Sequence, residues 1–152
     1  MKRNLLILLG ALLVFLSCDF KGKKIQAEAE KAKRIVSVNL IHDDYHEIVN
    51  SIGKAFLYVY PSNLTDISAS KLAEVSFDTK EVPFSINFEF PKNHRNLLEG
   101  KIDGRDSLIY YVSLAWDSNG DGKIDSLDIG IDYDKQFPHL DLDKIDHQIY
   151  LK

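Results

Sequence analysis

Cysteine is almost absent from this chain, since Cys18 is the only one among 152 residues. An intrachain disulfide is therefore excluded, and so are zinc sites and redox motifs that need several cysteines. Basic residues are also in deficit, with 19 Lys and Arg against 23 Asp and Glu and a formal net charge of −4. Because nucleic-acid binders need a concentrated basic face, we expect no nucleic-acid partner.

Long apolar runs and common catalytic motifs are missing as well. The longest apolar run, residues 5–16, is shorter than the roughly 20 apolar residues that span a membrane. The chain has no G-x-S-x-G nucleophile motif and no Gly-rich phosphate loop. We therefore expect no enzymatic activity. A hydrophobic fraction of 45% is nevertheless enough to build the core of one folded domain.

The N-terminus has the parts of a secretory signal. Lys2 and Arg3 precede the apolar run, and Cys18 follows it. The stretch resembles the lipobox of bacterial lipoproteins, although Phe15 is larger than the residue preferred there by that family. The resemblance implies that residues 1–17 are a signal peptide and that Cys18 is lipidated and anchors the chain to a membrane. The alternative is an ordinary cleaved signal followed by an unmodified cysteine.

Residues 18–34 are predicted to be the lipidated cysteine and a tether. The tether is rich in lysine and has no apolar face, so it lies on anionic headgroups or is a solvated linker. The expected location is the cell envelope, on the outer membrane facing the periplasm. Asp19 favours retention in the inner membrane under the enterobacterial sorting rule, and the inner membrane is therefore the alternative.

From residue 35 onward the hydrophobic pattern has a period of two, which is typical of half-buried strands. It predicts strands over 36–40, 73–77, 82–90 and 127–133, with Phe84, Ile86, Phe88 and Val112 buried. The runs 55–60 and 108–116 are apolar on both faces and are typical of central strands covered on both sides. With a last strand at 145–151, about seven strands are predicted. The fold class is therefore all-β, and residues 35–152 form one small antiparallel β-sandwich.

One short helix is predicted over Asp43–Ile52. Tyr45, Ile48 and Val49 share helical spacing with Ile52. An aspartate at position 43 or 44 could cap its start, and Gly53 would end it.

Residues 117–128 match a calcium-binding loop. Such loops place oxygen ligands at positions 1, 3, 5, 9 and 12, a backbone carbonyl at 7 and glycine at 6. The glycine position is Gly122, which needs a positive φ. The predicted ligands, in that order with the carbonyl of position 7 included, are Asp117, Asn119, Asp121, Lys123, Asp125 and Asp128. The cofactor predicted from this spacing is Ca²⁺, since calcium takes six to eight oxygens. A metal-free acidic turn is the alternative.

The twelve residues resemble an EF-hand loop, and more closely a dockerin loop, which also has Asp rather than Glu at position 12. A dockerin carries two such loops, each followed by a helix. Here the residues after Asp128 alternate as a strand, so we expect the loop to connect the arms of a β-hairpin, 108–116 and 127–133. Ile124 is expected to turn back into the core. A dockerin-like docking protein remains the alternative.

Other candidate sites have weaker patterns. His42 and His46 would share a helical face and could hold zinc, but two surface histidines at a strand end are the favoured interpretation. An acidic group near the C-terminus could hold a second cation or be a solvated surface; it comprises Asp141, Asp143 and Asp146. Five aromatic residues could form a sugar- or peptide-binding patch, although core packing is favoured; they are Tyr58, Tyr60, Tyr110, Tyr111 and Trp116.

A lipid anchor, a tether and a small β-sandwich with one acidic loop are together similar to the transthyretin-like and carboxypeptidase-regulatory-like modules of bacterial envelope proteins. The strands around 56–60 and 82–84 also resemble those of type III secretion pilotins. Both resemblances imply a non-enzymatic binding or assembly module with a protein or glycan partner. A hydrolase, or an accessory domain of envelope polymer processing, is the alternative.

Overall fold

Most segments with a period-two pattern form strands in the described part of the chain. The computed structural model describes residues 32–42, 47–63, 68–98 and 107–152. The signal, the lipidation site and most of the tether lie outside these residues. The strands of the described part are β1 (Lys33–His42), β2 (Ile52–Pro61), β3 (Ser70–Asp78), β4 (Phe84–Pro91), β5 (Leu108–Ala115), β6 (His139–Leu140) and β7 (Asp146–Leu151).

Two sheets are formed by these strands. One has three strands in the order β4-β1-β7, and the other has four in the order β3-β2-β5-β6. In the larger sheet β2 is antiparallel to both β3 and β5, and β5 is antiparallel to β6. In the smaller sheet β7 runs parallel to β1. The predicted all-β sandwich is therefore confirmed, with one parallel pair in an otherwise antiparallel-rich fold.

The core lies between the two sheets and takes alternate residues from each strand. Val38 and Leu40 of β1 and Leu57 of β2 are fully buried. Ile86, Phe88 and Val112 are buried as predicted, while Phe84 packs against the core and is partly exposed. Burying a large apolar side chain contributes about 1.5–3 kcal/mol, so this alternation is the main source of stability.

The helix predicted over Asp43–Ile52 is wrong for its described residues. Residues 43–46 lie outside the described part, residues 47–51 are not helical, and Ile52 begins β2. The backbone amides of Val49 and Asn50 both donate to the Ser118 carbonyl, at 2.9 and 3.1 Å. These tertiary hydrogen bonds replace the ones that a helix would supply.

Gly53 has a packing role instead of the predicted capping role. It is buried inside β2, and a Cβ at this position would overlap the ring of Phe77. That ring packs edge-on against Trp116, with centroids 5.1 Å apart. The glycine therefore makes room for an aromatic contact across the core.

The hairpin predicted between 108–116 and 127–133 is also wrong. Strand β5 pairs with β2 and β6, and the segment 127–133 is not a strand. Ile131 makes an isolated bridge to Leu151, and Gly130 exchanges two backbone hydrogen bonds with Lys152. Ile129 and Ile131 are buried, so the alternation in the sequence reflects burial beside the end of β7 rather than pairing with β5.

The described residues divide into a main unit, which lies within 34–90 and 94–152, and a second unit that includes residues 32, 33 and 91–93. Within the second unit, the Lys92 amide donates to the Ala32 carbonyl at 2.9 Å. Among the described residues, no helix has the length and apolar character to cross a membrane.

Candidate functional site

The acidic loop follows β5 and is fixed to the core at its start. Trp116 is buried, and its indole N–H donates to the Asn50 carbonyl at 2.7 Å. Ser118, the second residue of the loop, is also buried. Its hydroxyl accepts the Ile129 amide at 2.8 Å and lies 3.3 Å from the Asp128 carboxylate. One buried serine therefore joins the two ends of the loop, and no pattern in the sequence indicates this role.

Backbone amides curl the loop around its first carboxylate. The Gly120 and Asp121 amides donate to Oδ1 of Asp117 at 2.9 and 3.1 Å, and the Gly122 amide donates to Oδ2 at 3.0 Å. The Asp121 amide also donates to Asn119 Oδ1 at 2.9 Å. Gly122 has a φ of +86°, the left-handed value predicted for the sharp turn.

The loop is closed at its far end by Asp128. Its Oδ1 accepts the Asn119 amide at 3.2 Å, and its Oδ2 accepts the Asp125 amide at 3.0 Å. Burial raises the pKa of this carboxyl, but the hydrogen bonds from Asp125, Asn119 and Ser118 outweigh it and hold the pKa below its usual value. Asp128 therefore stays ionised and joins residues on both sides of the loop.

The carboxylates of the loop do not share one centre. Among the described residues, no three acidic, histidine or cysteine side chains come close enough together to hold a metal ion. Each loop carboxylate accepts loop amides, as Asp121 does from Lys123 and Asp125 from Leu127, both at 2.9 Å. The predicted ligands thus lie in one curled loop, and their side-chain oxygens accept hydrogen bonds from backbone amides of the same loop.

Ile124 does not turn back into the core as predicted. It is 63% exposed, and Leu127 is 76% exposed. The positions that tie the loop to the domain are instead Ser118 and Ile129, which lie at its two ends. The loop therefore presents two large aliphatic side chains to solvent between its aspartates.

A second candidate site is the outer face of the four-stranded sheet. Tyr58 of β2 stands opposite Tyr111 of β5, and their rings stack at 5.4 Å between centroids. Burial and the neighbouring tyrosines 58, 133 and 60 raise the pKa of the Tyr111 hydroxyl. We call this surface the aromatic face; its rings are Phe56, Tyr58, Tyr60, Tyr111, Tyr133 and Phe137.

The five aromatics noted in the sequence are thus divided between two environments. Trp116 lies in the core. Tyr110 packs against the core, and its hydroxyl is hydrogen-bonded to Nε2 of His94 at 2.7 Å. Tyr58, Tyr60 and Tyr111 are half-buried on the outer face. The prediction of core packing is therefore wrong for these three, because their side chains lie on the side of β2 and β5 that faces away from the core.

The described histidines do not belong to a group of three or more side chains that could hold a metal ion. His42 is the last residue of β1, as the favoured interpretation requires, and His46 lies outside the described residues. A polar cavity of about 520 Å³ is lined in part by His139, Asp141 and His147. The Asp141 side chain lies 4.0 Å from Lys144, and Asp141, Asp143 and Asp146 are all exposed.

Comparison with known proteins identifies the fold. No family model and no curated protein matches the chain. Among solved structures, the chain is similar to an alternative pilotin from the type II secretion system of Vibrio cholerae, with a TM-score of 0.52 and 13% identity. The match covers 79% of this chain and 96% of that one. At this identity the likeness shows a shared fold. It agrees with the predicted resemblance to pilotins, although that resemblance was to type III rather than type II pilotins, and the transthyretin-like resemblance stays a prediction.

Proposed function

We propose that this chain is a non-enzymatic assembly or binding module of the bacterial cell envelope. The observation that carries the proposal is the fold: an all-β domain that matches nearly the whole length of a secretion-system pilotin. A fold supports many functions, so the likeness supports this class of role without identifying the partner, which has to be found by experiment. The partner proposed is a protein component of an envelope secretion machine.

The experiment is affinity purification of the full chain from native membranes after mild cross-linking. Components of a secretion machine should copurify with the wild type. They should be lost from a Cys18→Ser variant that is released from the membrane. If the wild type brings down no envelope protein above the level of an untagged control, the assembly role is wrong.

The membrane anchor is part of the proposal. The basic start, the short apolar run and the single cysteine support lipidation of Cys18. Lipid chains contribute about 0.8 kcal/mol for each buried CH₂, and stable anchoring takes more than one chain. Mass spectrometry of the protein from the membrane fraction should show an N-terminal Cys18 that carries lipid. An unmodified N-terminal peptide would rule the anchor out.

Calcium binding by the loop is the third part. Its support is the spacing of oxygen-bearing side chains, the positive φ of Gly122, and the hydrogen bonds that hold the pKa of Asp128 below its usual value. A carboxylate oxygen that accepts an amide keeps a second lone pair, so the loop amides do not exhaust its capacity. The residues that would hold the ion are Asp117, Asn119, Asp121, Lys123 through its carbonyl, Asp125 and Asp128.

Calorimetry tests this site. Extracellular calcium modules have Kd values on the order of 10⁻⁴–10⁻³ M, and the short Asp128 favours that range. Calcium should then stabilise the fold by about 2.7 kcal/mol at a hundredfold excess over Kd. Asp117→Ala should abolish binding, whereas Lys123→Ala should retain it. If the wild type binds no calcium at concentrations well above this range, the loop is an ordinary acidic turn and the calcium site is wrong.

A second candidate is a docking role for the loop itself, as in a dockerin. Exposure of Ile124 and Leu127 between the aspartates favours it. The absence of helix in the described residues after Asp128 sets the loop apart from a dockerin repeat. Ile124→Ser with Leu127→Ser should leave calcium binding intact and remove partner binding if this role is correct. Partner binding that survives both changes would assign the interface elsewhere.

A further inference from the structure

A groove crosses the outer face of the three-stranded sheet. One cavity of about 520 Å³ lies beside β7, and a second of about 300 Å³ lies beside β4. Asn39 of β1 and Gln148 of β7 are neighbours in the sheet, and both residues line both cavities. The two cavities are therefore parts of one groove. Both volumes fall in the range of about 300–1,000 Å³ that is typical of small-ligand sites.

Uncharged polar side chains dominate the larger cavity. The described residues that line it supply three amides, two imidazoles and one phenol, and no aliphatic side chain. These uncharged residues are Asn39, Gln136, Gln148, His139, His147 and Tyr150. Amides, neutral imidazoles and phenols each offer both hydrogen-bond donors and acceptors. Because a sugar hydroxyl also donates and accepts, this lining is complementary to a ligand with many hydroxyl groups.

The charged side chains at the larger cavity balance one another. Asp141 and Lys144 both line it, with 4.0 Å between carboxylate and ammonium. Asp146 lines it as well, and Lys135 lies 3.9 Å over the ring of Tyr150. Two carboxylates and two ammonium groups leave no net charge. The cavity therefore favours an uncharged ligand over an anionic one.

One buried group of the larger cavity lacks a partner. His147 is buried, and among the described residues its Nε2 has no hydrogen-bond partner. The Lys144 backbone bonds the other ring nitrogen, so the neutral ring keeps an unused acceptor at Nε2. Buried polar groups in native proteins are nearly all hydrogen-bonded to protein or to water. A ligand hydroxyl, directly or through one water, can supply the bond that Nε2 lacks.

The smaller cavity adds an apolar surface to the groove. Ile41, Pro83 and Phe84 line it, together with Ser85. The Ser85 hydroxyl donates to Asn39 Oδ1 at 2.5 Å and so fixes this amide where the two cavities meet. A sugar ring has a rim of hydroxyls and an apolar face of C–H groups. A chain of such rings can place hydroxyls in the larger cavity and a ring face on the smaller one.

We propose that this groove binds an uncharged glycan of at least two pyranose units. Asn39 and Gln148 hold the chain by hydrogen bonds where the cavities meet, and His147 accepts a hydroxyl in the larger cavity. The groove is separate from the acidic loop and from the aromatic face. The proposal therefore rests neither on calcium binding nor on the role in a secretion machine.

Other ligands fit the groove less well. Peptide recognition depends on pockets for side chains, and the described lining of the larger cavity has no aliphatic residue to form one. Among the described residues, no three acidic, histidine or cysteine side chains come together to hold a metal ion. Asp143, whose amide donates to Asp141, is paired with Arg34 at 3.8 Å, so these two residues add no net charge that would attract an anion.

An NMR titration of the full chain tests the site, in a detergent that has no sugar headgroup. The probes are chitotetraose and cellotetraose, two neutral tetrasaccharides, each raised to millimolar concentration. At least one should bind at a single site and shift the side-chain amide signals of Asn39 and Gln148. Absence of binding by both probes would overturn the proposal, and so would shifts confined to the acidic loop or the aromatic face.

Substitutions on β7 test the contacts. Gln148→Ala should weaken sugar binding about three- to tenfold, because one uncharged hydrogen bond is lost. The matched control is Asn87→Ala, which removes an exposed amide of β4 that lines neither cavity and should leave the Kd unchanged. His147→Leu should also weaken binding, and thermal unfolding shows whether this variant is folded. Because Gln148 is exposed, equal affinities of Gln148→Ala and Asn87→Ala would contradict the proposal without any question of folding.

Two further probes separate a glycan from other ligands. Inorganic phosphate and tetra-alanine, titrated in the same way, should leave the signals of Asn39 and Gln148 unchanged. If either of them binds in the groove and neither sugar does, the groove is a site for an anion or a peptide and the glycan is wrong. Since these titrations contain no secretion component, their failure would leave the proposed assembly role untouched.

Discussion

At the scale of single residues, small side chains decide how the acidic loop is held. Ser118 is buried at the second position of the loop, where its hydroxyl reaches the Ile129 amide and the Asp128 carboxylate. The calcium-loop pattern predicts which positions carry ligands, but it gives no information about Ser118, which lies between the ligand positions Asp117 and Asn119. Which loop residue turns inward depends on the domain beneath, here on the segment around Asn50.

Ser118→Ala should destabilise the fold by about 1–3 kcal/mol, because a buried amide loses its acceptor. Urea denaturation followed by tryptophan fluorescence measures the change, since Trp116 lies two residues away. Ser126→Ala, an exposed position of the same loop, is the control and should change stability little. Equal effects of the two substitutions would show that the buried hydroxyl does not hold the loop.

Gly53 offers a second prediction at this scale. Gly53→Ala places a Cβ against the ring of Phe77, so the ring must move from its contact with Trp116. Overpacking of this kind typically costs about 1–3 kcal/mol. Gly130→Ala is the matched control, because a Cβ there meets nothing within 4 Å. Thermal unfolding that ranks Gly130→Ala as the more damaging change would contradict this description of the core.

At the scale of elements, the strands with clear alternation could be predicted and their partners could not. Residues 82–90 and 145–151 correspond closely to β4 and β7, and the two apolar runs became the central strands β2 and β5. Pairing depends on distant residues: β7 lies beside β1, more than a hundred positions away, and β6 occupies the place beside β5 that was expected for a hairpin arm. Tertiary contacts likewise overrode the helical spacing before β2.

Strand β7 carries the group that should make stability depend on pH. His147 is buried, and its Nε2 has no hydrogen-bond partner among the described residues. Burial lowers the pKa of His147, against smaller opposing effects of Asp141, Asp146 and the Lys144 backbone. Because the unfolded chain then binds a proton that the folded chain excludes, stability is full above the unfolded pKa of 6.5 and falls as the pH drops below it.

Chemical denaturation at pH 7.5 and at pH 5 measures this effect. The wild type should lose stability at the lower pH, and His147→Leu should lose less. His139→Gln changes an exposed histidine of the same cavity and should keep the wild-type response. An identical loss in wild type and His147→Leu would place the pH dependence in other groups.

At the scale of the whole molecule, the fold class followed from the sequence, and the two candidate surfaces followed only in part. The loop could be predicted because its ligand residues all lie within twelve positions of the sequence, whereas the aromatic face is assembled from β2, β5 and the segment before β6. A surface built from distant segments has no local pattern, so Phe56, Tyr133 and Phe137 could not be selected from the sequence.

The most direct test of the envelope assembly role is export by cells that lack the protein. The amount of a secretion-system substrate in the medium should fall when the gene is removed, with the substrate retained inside the envelope. The wild-type chain should restore export, and Cys18→Ser should not restore it although it folds. Unchanged export in the absence of the protein, or full restoration by Cys18→Ser, would contradict the account.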